Sequence, residues 1–217
     1  DDVGGSLEAT ASPDASGHFR VSVPIRAGLV RHRIELGLRT AGHDHVLRTA
    51  TNVICGDAFI IQGQSNAVAT DWGSEEPAFR SPWIRTFGSM SGDPNGLRLW
   101  GDAVPRDHHG ERLQIGYWGM EFARRLVESN SIPVCILNGA VGGTRIDQHQ
   151  RNPSNPADTT TIYGRLLWRA QQARLTHGIR GVFWHQGEND QGADGPTGGY
   201  GWETYRDLFI DLAAAWK

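Results

Sequence analysis

The amino-acid sequence predicts an α/β protein in which a three-layer α/β/α domain, built around a parallel sheet, follows a small β-rich segment. From about residue 54 onward, short apolar runs alternate with segments that are apolar at helical spacing, the pattern of parallel βαβ units. Before that position, β-rich runs are separated by glycine and polar residues. A chain of 217 residues with 38% hydrophobic content is long enough to bury a substantial core.

Residues 1–53 form the β-rich segment. Apolar and polar residues alternate at 19–25 and 32–38, which predicts short antiparallel strands, and no helical pattern precedes residue 57. We expect these strands to belong to a small β-sandwich, complete or partial. Residues 54–217 form the α/β domain, which we expect to be truncated at its C-terminal end.

The α/β domain contains three apolar runs that predict strands, at 58–61, 132–137 and 181–184, and the first two are predicted to be buried. Helical spacing of apolar residues predicts amphipathic helices at 117–127 and 162–175. Each of the three strands is followed by a polar loop that contains glycine. Because the carboxyl ends of parallel strands meet at one edge of a sheet, these loops predict a shared site.

Ser65 is the candidate nucleophile of that site. A strand that stops at Gly63-Gln64-Ser65-Asn66 can leave a serine hydroxyl exposed at the strand end, and Gly63 permits the tight turn. A helix that starts after Ser65 would turn its free amides toward negative charge on the serine oxygen. The alternative is an ordinary strand-to-helix turn in which Ser65 is the N-cap.

Composition argues against nucleic acid and membrane partners. Lys and Arg number 21 and Asp and Glu number 24, which gives a net charge of −3, and no basic cluster could follow a phosphate backbone. No apolar stretch approaches the roughly 20 residues that a membrane helix needs, and the N-terminus lacks a signal-peptide pattern. We therefore expect a soluble protein, and leave its oligomeric state open.

The cysteines and the clustered histidines predict neither a disulfide nor a metal site. Cys55 and Cys135 lie in apolar, strand-like runs, which favours buried free thiols. Residues 43–45 (His-Asp-His) and 107–109 (Asp-His-His) could ligate a metal, but each lies in a polar stretch without a completing ligand. Solvated loops are the favoured interpretation, so we expect no metal and no cofactor.

Three sequence blocks together resemble one family. They are Gly63-Gln64-Ser65-Asn66, Gly142-Gly143-Thr144-Arg145-Ile146 and Trp184-His185-Gln186-Gly187-Glu188-Asn189-Asp190. Their order and approximate spacing resemble the SGNH (GDSL-like) hydrolases of the sialate O-acetylesterase and acetylxylan esterase group, over residues 54–217. The resemblance implies a secreted or periplasmic carbohydrate O-acetylesterase that acts on an acetylated carbohydrate through a serine nucleophile and an acyl-enzyme, without a cofactor.

The same resemblance implies roles for three residues. Ser65 is the nucleophile, and its own amide, the amide of Gly143 and the side chain of Gln186 form the oxyanion hole. These residue types suit acyl transfer, which needs an activated hydroxyl and donors aimed at the oxygen that becomes negative. Taken singly, Gly143 could belong to a flexible loop without a ligand, and Gln186 could be a buried amide that holds loops together.

Gln64, Arg145 and His149 are the candidate substrate-binding residues. For Arg145, an ion pair with Glu188 or Asp190 is the favoured alternative to substrate contact. For His149 we expect a position at the rim of the site. Loop residues 190–202, with Tyr200 and Trp202, could shape a sugar subsite or pack at a helix start.

One element of the family pattern is missing. Such enzymes carry a C-terminal histidine base, preceded by an acid in an Asp-x-x-His arrangement, whereas residues 207–217 read as an amphipathic helix without it. We favour a fragment whose base lies beyond Lys217; the alternatives are a base from elsewhere or a protein that is not a catalyst. Of the histidines beside the site loops, His185 is more consistent with a structural role than with a base.

Two other functions are compatible with the scaffold. A catalytically incomplete carbohydrate-binding or adaptor module would explain the missing histidine. A lipase or thioesterase is less consistent with the sequence, because the site loops are polar and no long apolar lid segment is present. The sequence does not choose between xylan and sialic acid as the acetylated sugar.

Overall fold

The fold is that of a computed structural model, which describes residues 5–71, 79–88, 98–106, 113–191 and 201–217. The chain divides into two compact units, Asp1–Gly56 and Asp57–Lys217. The second of the two histidine clusters considered above (107–109) and Tyr200 lie outside the described residues.

The first unit contains one antiparallel pair of strands, β1 (His32–Thr40) and β2 (His43–Val53). The two residues between them, Ala41 and Gly42, both have positive φ angles (49° and 80°), as a type I′ hairpin turn requires. The His-Asp-His cluster at 43–45 lies on β2. Within the described part of the chain, no group of three His, Cys, Asp or Glu side chains could hold a metal ion.

The strand predicted at 19–25 is wrong, whereas the small β-sandwich, complete or partial, stays a prediction. Residues 19–25 are coil, and the described part of this unit contains only the sheet of β1 and β2. Alternation predicts which face a strand would bury but supplies no neighbouring strand for its hydrogen bonds. Pro24 also removes one of the N–H groups that a strand would donate.

In its described residues, the second unit is built on a five-stranded sheet in the order β5-β4-β6-β3-β7. Its strands are β3 (Asp57–Gly63), β4 (Ile84–Phe87), β5 (Trp100–Asp102), β6 (Val134–Asn138) and β7 (Ile179–His185). All neighbouring strands are parallel except β4 and β5, which pair antiparallel. The helices are α1 (Ser65–Val68), α2 (Tyr117–Asn130), α3 (Ile162–Gln172) and α4 (Trp202–Ala215). The predicted fold class is thereby confirmed.

The core lies on both faces of the sheet. On β3, Ile61 packs with Met120 of α2, whereas its neighbour Ile60 packs with Leu166 of α3. Because successive side chains of a strand point to opposite faces, the two helices cover opposite sides and produce three layers. None of the described helices is long and apolar enough to cross a membrane.

Both cysteines are free thiols. Cys135 is buried on β6, where burial raises the pKa of its thiol to about 12. Cys55 is half-buried rather than buried, since it lies between β2 and β3 and not within a strand. The Cys135 thiol is therefore protonated at neutral pH and unreactive.

Candidate active site

The site begins where β3 ends, at Gly63. This residue has a φ angle of 144°, and a Cβ atom built on it would lie 1.9 Å from the His185 carbonyl oxygen. Only glycine therefore allows the chain to pass so close to the end of β7. The next amide, that of Gln64, donates to the same His185 oxygen (N···O 3.0 Å), which joins the ends of the two strands.

Ser65 is the first residue of the single-turn helix α1, and it is exposed. The N-cap is Gln64, whose side chain makes no capping bond, so the alternative of Ser65 as N-cap is wrong. The helix begins at Ser65 and not after it. Four residues carry little of the dipole that a longer helix would provide. Among the described residues, the Ser65 hydroxyl has no hydrogen-bond partner and remains available for chemistry.

The turn that carries Ser65 is anchored by three hydrogen bonds. The Trp118 indole N–H donates to the Asn66 carbonyl oxygen (2.9 Å), and the Tyr117 amide donates to the Ala69 carbonyl oxygen (2.7 Å). The side-chain amide of Asn66 donates to the Glu188 carboxylate. Helix α2 and the loop after β7 therefore hold the serine turn in place.

The glycine loop after β6 passes beside the serine. The Val141 amide donates to the Gly63 carbonyl oxygen (3.0 Å), and a Cβ atom built on Gly142 would lie 3.8 Å from the Ser65 Cβ. Gly143 has a left-handed φ of 72° with open space around it. In the described ranges, neither glycine amide donates to a protein acceptor. Two unused N–H groups thus lie in the loop next to the hydroxyl, an arrangement that can bind an anion.

Gln186 joins all three loops. Its Nε2 atom lies 3.1 Å from Gln64 Oε1, 3.0 Å from the Thr144 carbonyl oxygen and 2.5 Å from Asp190 Oδ2. An amide nitrogen has two hydrogens, so protein acceptors already use both. Gln186 can donate to an oxyanion only by giving up one of these bonds. The geometry agrees with the alternative of an amide that holds loops together, and Gln186 is half-buried rather than buried.

Gln64 lies beneath the surface rather than in contact with solvent. Its Oε1 accepts from the Asn189 amide (3.2 Å) as well as from Gln186, and its Nε2 donates to Asn189 Oδ1 (3.2 Å). The predicted contact between Gln64 and substrate is corrected accordingly: the side chain is buried and its polar atoms are committed to the loop after β7.

Asp190 is buried and fastens the glycine loop to the loop after β7. Its Oδ2 accepts from the Ile146 amide (3.0 Å) and from Gln186. Arg145, next to Ile146, forms a bidentate ion pair with Asp147, with both N···O distances 3.1 Å. The expected partners of Arg145 were Glu188 and Asp190, not Asp147. A carboxylate two residues further along the chain forms no pattern that predicts an ion pair.

His149 is fully buried, so its predicted position at the rim is wrong. Its Nε2 lies 2.7 Å from Thr144 Oγ1, which donates its own proton to the Val141 carbonyl oxygen (2.7 Å). Nε2 therefore carries the imidazole proton, and Nδ1 accepts from the Gln62 side-chain amide (3.3 Å). Burial lowers the pKa of His149 to about 4, so the ring is neutral and both nitrogens are used. A base role for His149 does not fit this arrangement.

His185 lies at the exposed end of β7, with Nε2 3.5 Å from Glu188 Oε1. The Glu188 backbone amide, the Asn66 side chain and His185 hold the pKa of the Glu188 carboxyl below its usual range. Over the ranges that the structure describes, no histidine is hydrogen-bonded to Ser65. The described site therefore contains an exposed serine hydroxyl and unused backbone amides, without a histidine bonded to the serine.

The first turn of α4 packs on the loop after β7. The Tyr205 hydroxyl accepts from the Trp184 indole N–H (3.0 Å) and donates to the Gln186 carbonyl oxygen (2.8 Å). Trp202, one turn earlier, is 70% exposed, and the Arg206 guanidinium lies 5.4 Å from its ring centroid. Trp202, which was considered together with Tyr200 for a sugar subsite, therefore presents its ring to solvent.

Sequence reasoning gave no role to Gln62, Thr144 or Asn138, which support the site from below. Each is buried and polar. A polar side chain at the end of an apolar strand could have indicated such a role. A buried polar group needs a hydrogen-bond partner, so it joins the segments around it. Gln62 and Asn138 both occupy such positions.

The fold and the site together define an α/β protein whose polar site is assembled from loops at the carboxyl ends of three parallel strands. Residues 55–213 match the family described as carbohydrate esterase, sialic acid-specific acetylesterase, and the chain belongs to this family. No curated protein sequence matches the chain.

Two solved structures are similar in fold. A carbohydrate acetylesterase from Xanthomonas citri is 22% identical with a TM-score of 0.59; the match covers 94% of this chain and 46% of that protein. A protein from Arabidopsis thaliana is also 22% identical, with a TM-score of 0.50, over 74% of this chain and 67% of that one. The chain thus spans about half the length of the Xanthomonas protein.

Proposed function

We propose that the protein is a carbohydrate O-acetylesterase that uses Ser65 as its nucleophile. The observation that carries this proposal is the exposed Ser65 hydroxyl beside the unused amides of Gly142 and Gly143. Membership in the carbohydrate esterase family supports the same reaction. An acetylated glycan is the proposed substrate, and the family supports a secreted or periplasmic location.

In the proposed reaction, the Ser65 oxygen attacks the acetyl carbonyl carbon while its proton passes to a base. The carbonyl oxygen becomes negative, and the amides of Ser65 and Gly143 donate to it. Collapse of the tetrahedral intermediate breaks the bond to the sugar oxygen, which leaves with a proton, and the acetyl group stays on Ser65. Water then attacks the acyl-enzyme and releases acetate.

Substitution of Ser65 tests the proposal directly. Ser65→Ala removes the attacking oxygen, so we expect release of acetate from p-nitrophenyl acetate and from acetylated xylan to fall by a factor of about 10³ or more. Ser129→Ala is the matched control, since Ser129 is an exposed serine on α2 whose hydroxyl bonds within its own helix. Saturable acetate release that survives in the Ser65 variant would overturn the proposal.

A second candidate is a carbohydrate-binding module on the esterase scaffold. It is favoured by one observation: among the described residues, Ser65 has no histidine partner to remove its proton. Calorimetry with acetylated and deacetylated xylan oligosaccharides distinguishes the two. Binding without acetate release supports the module, whereas turnover that depends on Ser65 excludes it.

A further inference from the structure

Asn138 is the last residue of β6 and is fully buried directly below the site. Its Nδ2 atom donates to two carbonyl oxygens, those of Ala67 and Ile115, both at 2.9 Å. Its Oδ1 accepts from the Ala140 amide at 3.0 Å. Both hydrogens of the amide are used, and the three partners belong to three different segments of the chain.

Those three segments surround the proposed nucleophile. Ala67 is in the single turn α1, two residues after Ser65. Ile115 precedes α2, and Ala140 begins the loop that leads to Gly142. One side chain therefore connects the serine turn to the loop that carries the unused amides. Helix α1 is too short to hold its own geometry, so such contacts must fix it.

Arg169 of α3 fixes the backbone of Asn138 in turn. It is fully buried, and its Nη1 donates to the Asn138 carbonyl oxygen (2.7 Å). Its other nitrogens donate to Thr86 Oγ1 (2.8 Å) and to the carbonyl oxygens of Phe87 and Gly88 at the end of β4. Burial lowers the pKa of Arg169 to about 10, so the guanidinium remains charged at neutral pH. Charged donors make the stronger hydrogen bonds, which rigidifies the ends of β4 and β6.

We propose that Asn138, held by Arg169, is a positioning residue that sets the distance between Ser65 and the amides of Gly142 and Gly143. The inference rests on the proposed function, because the distance matters only if an oxyanion forms between these groups. Catalytic groups must be held to within a fraction of an ångström, and a 1 Å misplacement can lower a rate by about 10²-fold.

No other side chain of this size can make the same three bonds. Aspartate has the same shape, but it would place an acceptor oxygen against the carbonyl oxygens of Ala67 and Ile115. Leucine has a similar volume, but it would leave both carbonyls and the Ala140 amide without a partner. Asn138→Asp and Asn138→Leu therefore disturb the same contacts in different ways.

The kinetic test compares these variants with Val134→Ala. Val134 is buried at the opposite end of the same strand, so its truncation costs stability without touching the site. For folded protein we expect kcat for p-nitrophenyl acetate to fall by about 10²-fold in Asn138→Asp, with a smaller change in KM. Val134→Ala keeps the wild-type kcat. Asn138 variants that fold and retain the wild-type kcat would overturn the proposal.

A second measurement does not require activity. In the NMR spectrum of the wild-type protein, we expect nuclear Overhauser contacts between the Ser65 Hβ and Gly142 Hα protons, and slow exchange of both Asn138 side-chain amide protons. In Asn138→Leu the Ser65–Gly142 contacts weaken, whereas in Val134→Ala they persist. Unchanged contacts in Asn138→Leu, or fast exchange of the Asn138 amide in the wild type, would refute positioning.

The two measurements separate the two proposals. Suppose that the wild-type protein is inactive but shows these contacts, and that Asn138→Leu loses them. This result would count against the esterase proposal while supporting the positioning role. If neither Asn138 variant folds, exchange of the wild-type side-chain amide decides: slow exchange of both protons supports the role, and fast exchange ends it.

Discussion

The candidate site depends on two glycines, Gly63 and Gly143, that another residue cannot replace without cost. Gly63 has a positive φ, and the His185 carbonyl oxygen lies where a Cβ atom on Gly63 would be. The absence of a side chain lets the ends of β3 and β7 come together. Gly143 also has a positive φ, but nothing lies within 4 Å of its missing side chain. The first glycine is required by packing, whereas the second is required by backbone conformation alone.

Alanine substitutions separate these two requirements. We expect Gly63→Ala to lower the free energy of unfolding by at least about 2 kcal/mol, because backbone strain adds to a clash with backbone atoms. Gly143→Ala should cost only about 1 kcal/mol, from its left-handed conformation. Urea unfolding of both variants checks this expectation. Equal losses would mean that the strand ends can move apart without cost.

At the scale of secondary structure elements, α4 completes the site by packing on the loop after β7. Tyr205, in its first turn, bonds to Trp184 and to the Gln186 carbonyl oxygen. At the other end of the helix, the Ala215 carbonyl oxygen accepts from the Tyr163 hydroxyl of α3 (2.6 Å). The helix is thus tied by one tyrosine near the site and by another at its far end.

This pair of tyrosines offers a matched comparison. Tyr205→Phe and Tyr163→Phe each remove one hydroxyl, and each should lower the free energy of unfolding by about 1–2 kcal/mol. Only Tyr205→Phe loosens the loop that carries Gln186, so we expect kcat/KM for acetyl esters to fall by about 10-fold in that variant alone. Equal kcat/KM values in the two variants would show that α4 does not support the site.

At the scale of the whole molecule, His149 links stability to pH. Burial lowers the pKa of its imidazole to about 4 from an ordinary value of 6.5, although the nearby Asp147 carboxylate acts in the opposite direction. Between these pH values the unfolded chain binds a proton that the folded protein does not. The free energy of unfolding therefore falls as pH falls from about 6.5 to about 4, and this contribution then levels off.

We expect the loss over this pH range to reach about 3 kcal/mol from His149 alone. His149→Gln removes the titrating group, so its free energy of unfolding should depend less on pH over the same range, although the variant starts from a lower stability. Urea unfolding at pH 7 and pH 4.5 measures the difference. Parallel pH dependence in the wild type and the variant would contradict a buried neutral imidazole.

Much of the α/β unit could be predicted because its signals are local. The run at 58–61 lies within β3, which is largely buried, and the run at 181–184 lies within β7, an edge strand on which Phe183 is exposed. A short apolar run predicts a strand in both cases, but it does not tell a central strand from an edge strand. Strands β4 and β5 were missed because four and three residues are too few for a pattern. The strand expected at 19–25 was wrong because pairing depends on a neighbour that alternation does not reveal.

The sequence by itself determined the α/β class, the three strand-end loops and the serine that one of them exposes, because periodicity and turn residues act within a few positions. Only the tertiary structure decided what the polar side chains do. Gln64, Gln186 and His149 were candidates for contact with substrate or an oxyanion, yet all three are committed to partners far away in the chain. A buried donor or acceptor must be satisfied by whatever the fold brings near it, and sequence spacing does not encode that proximity.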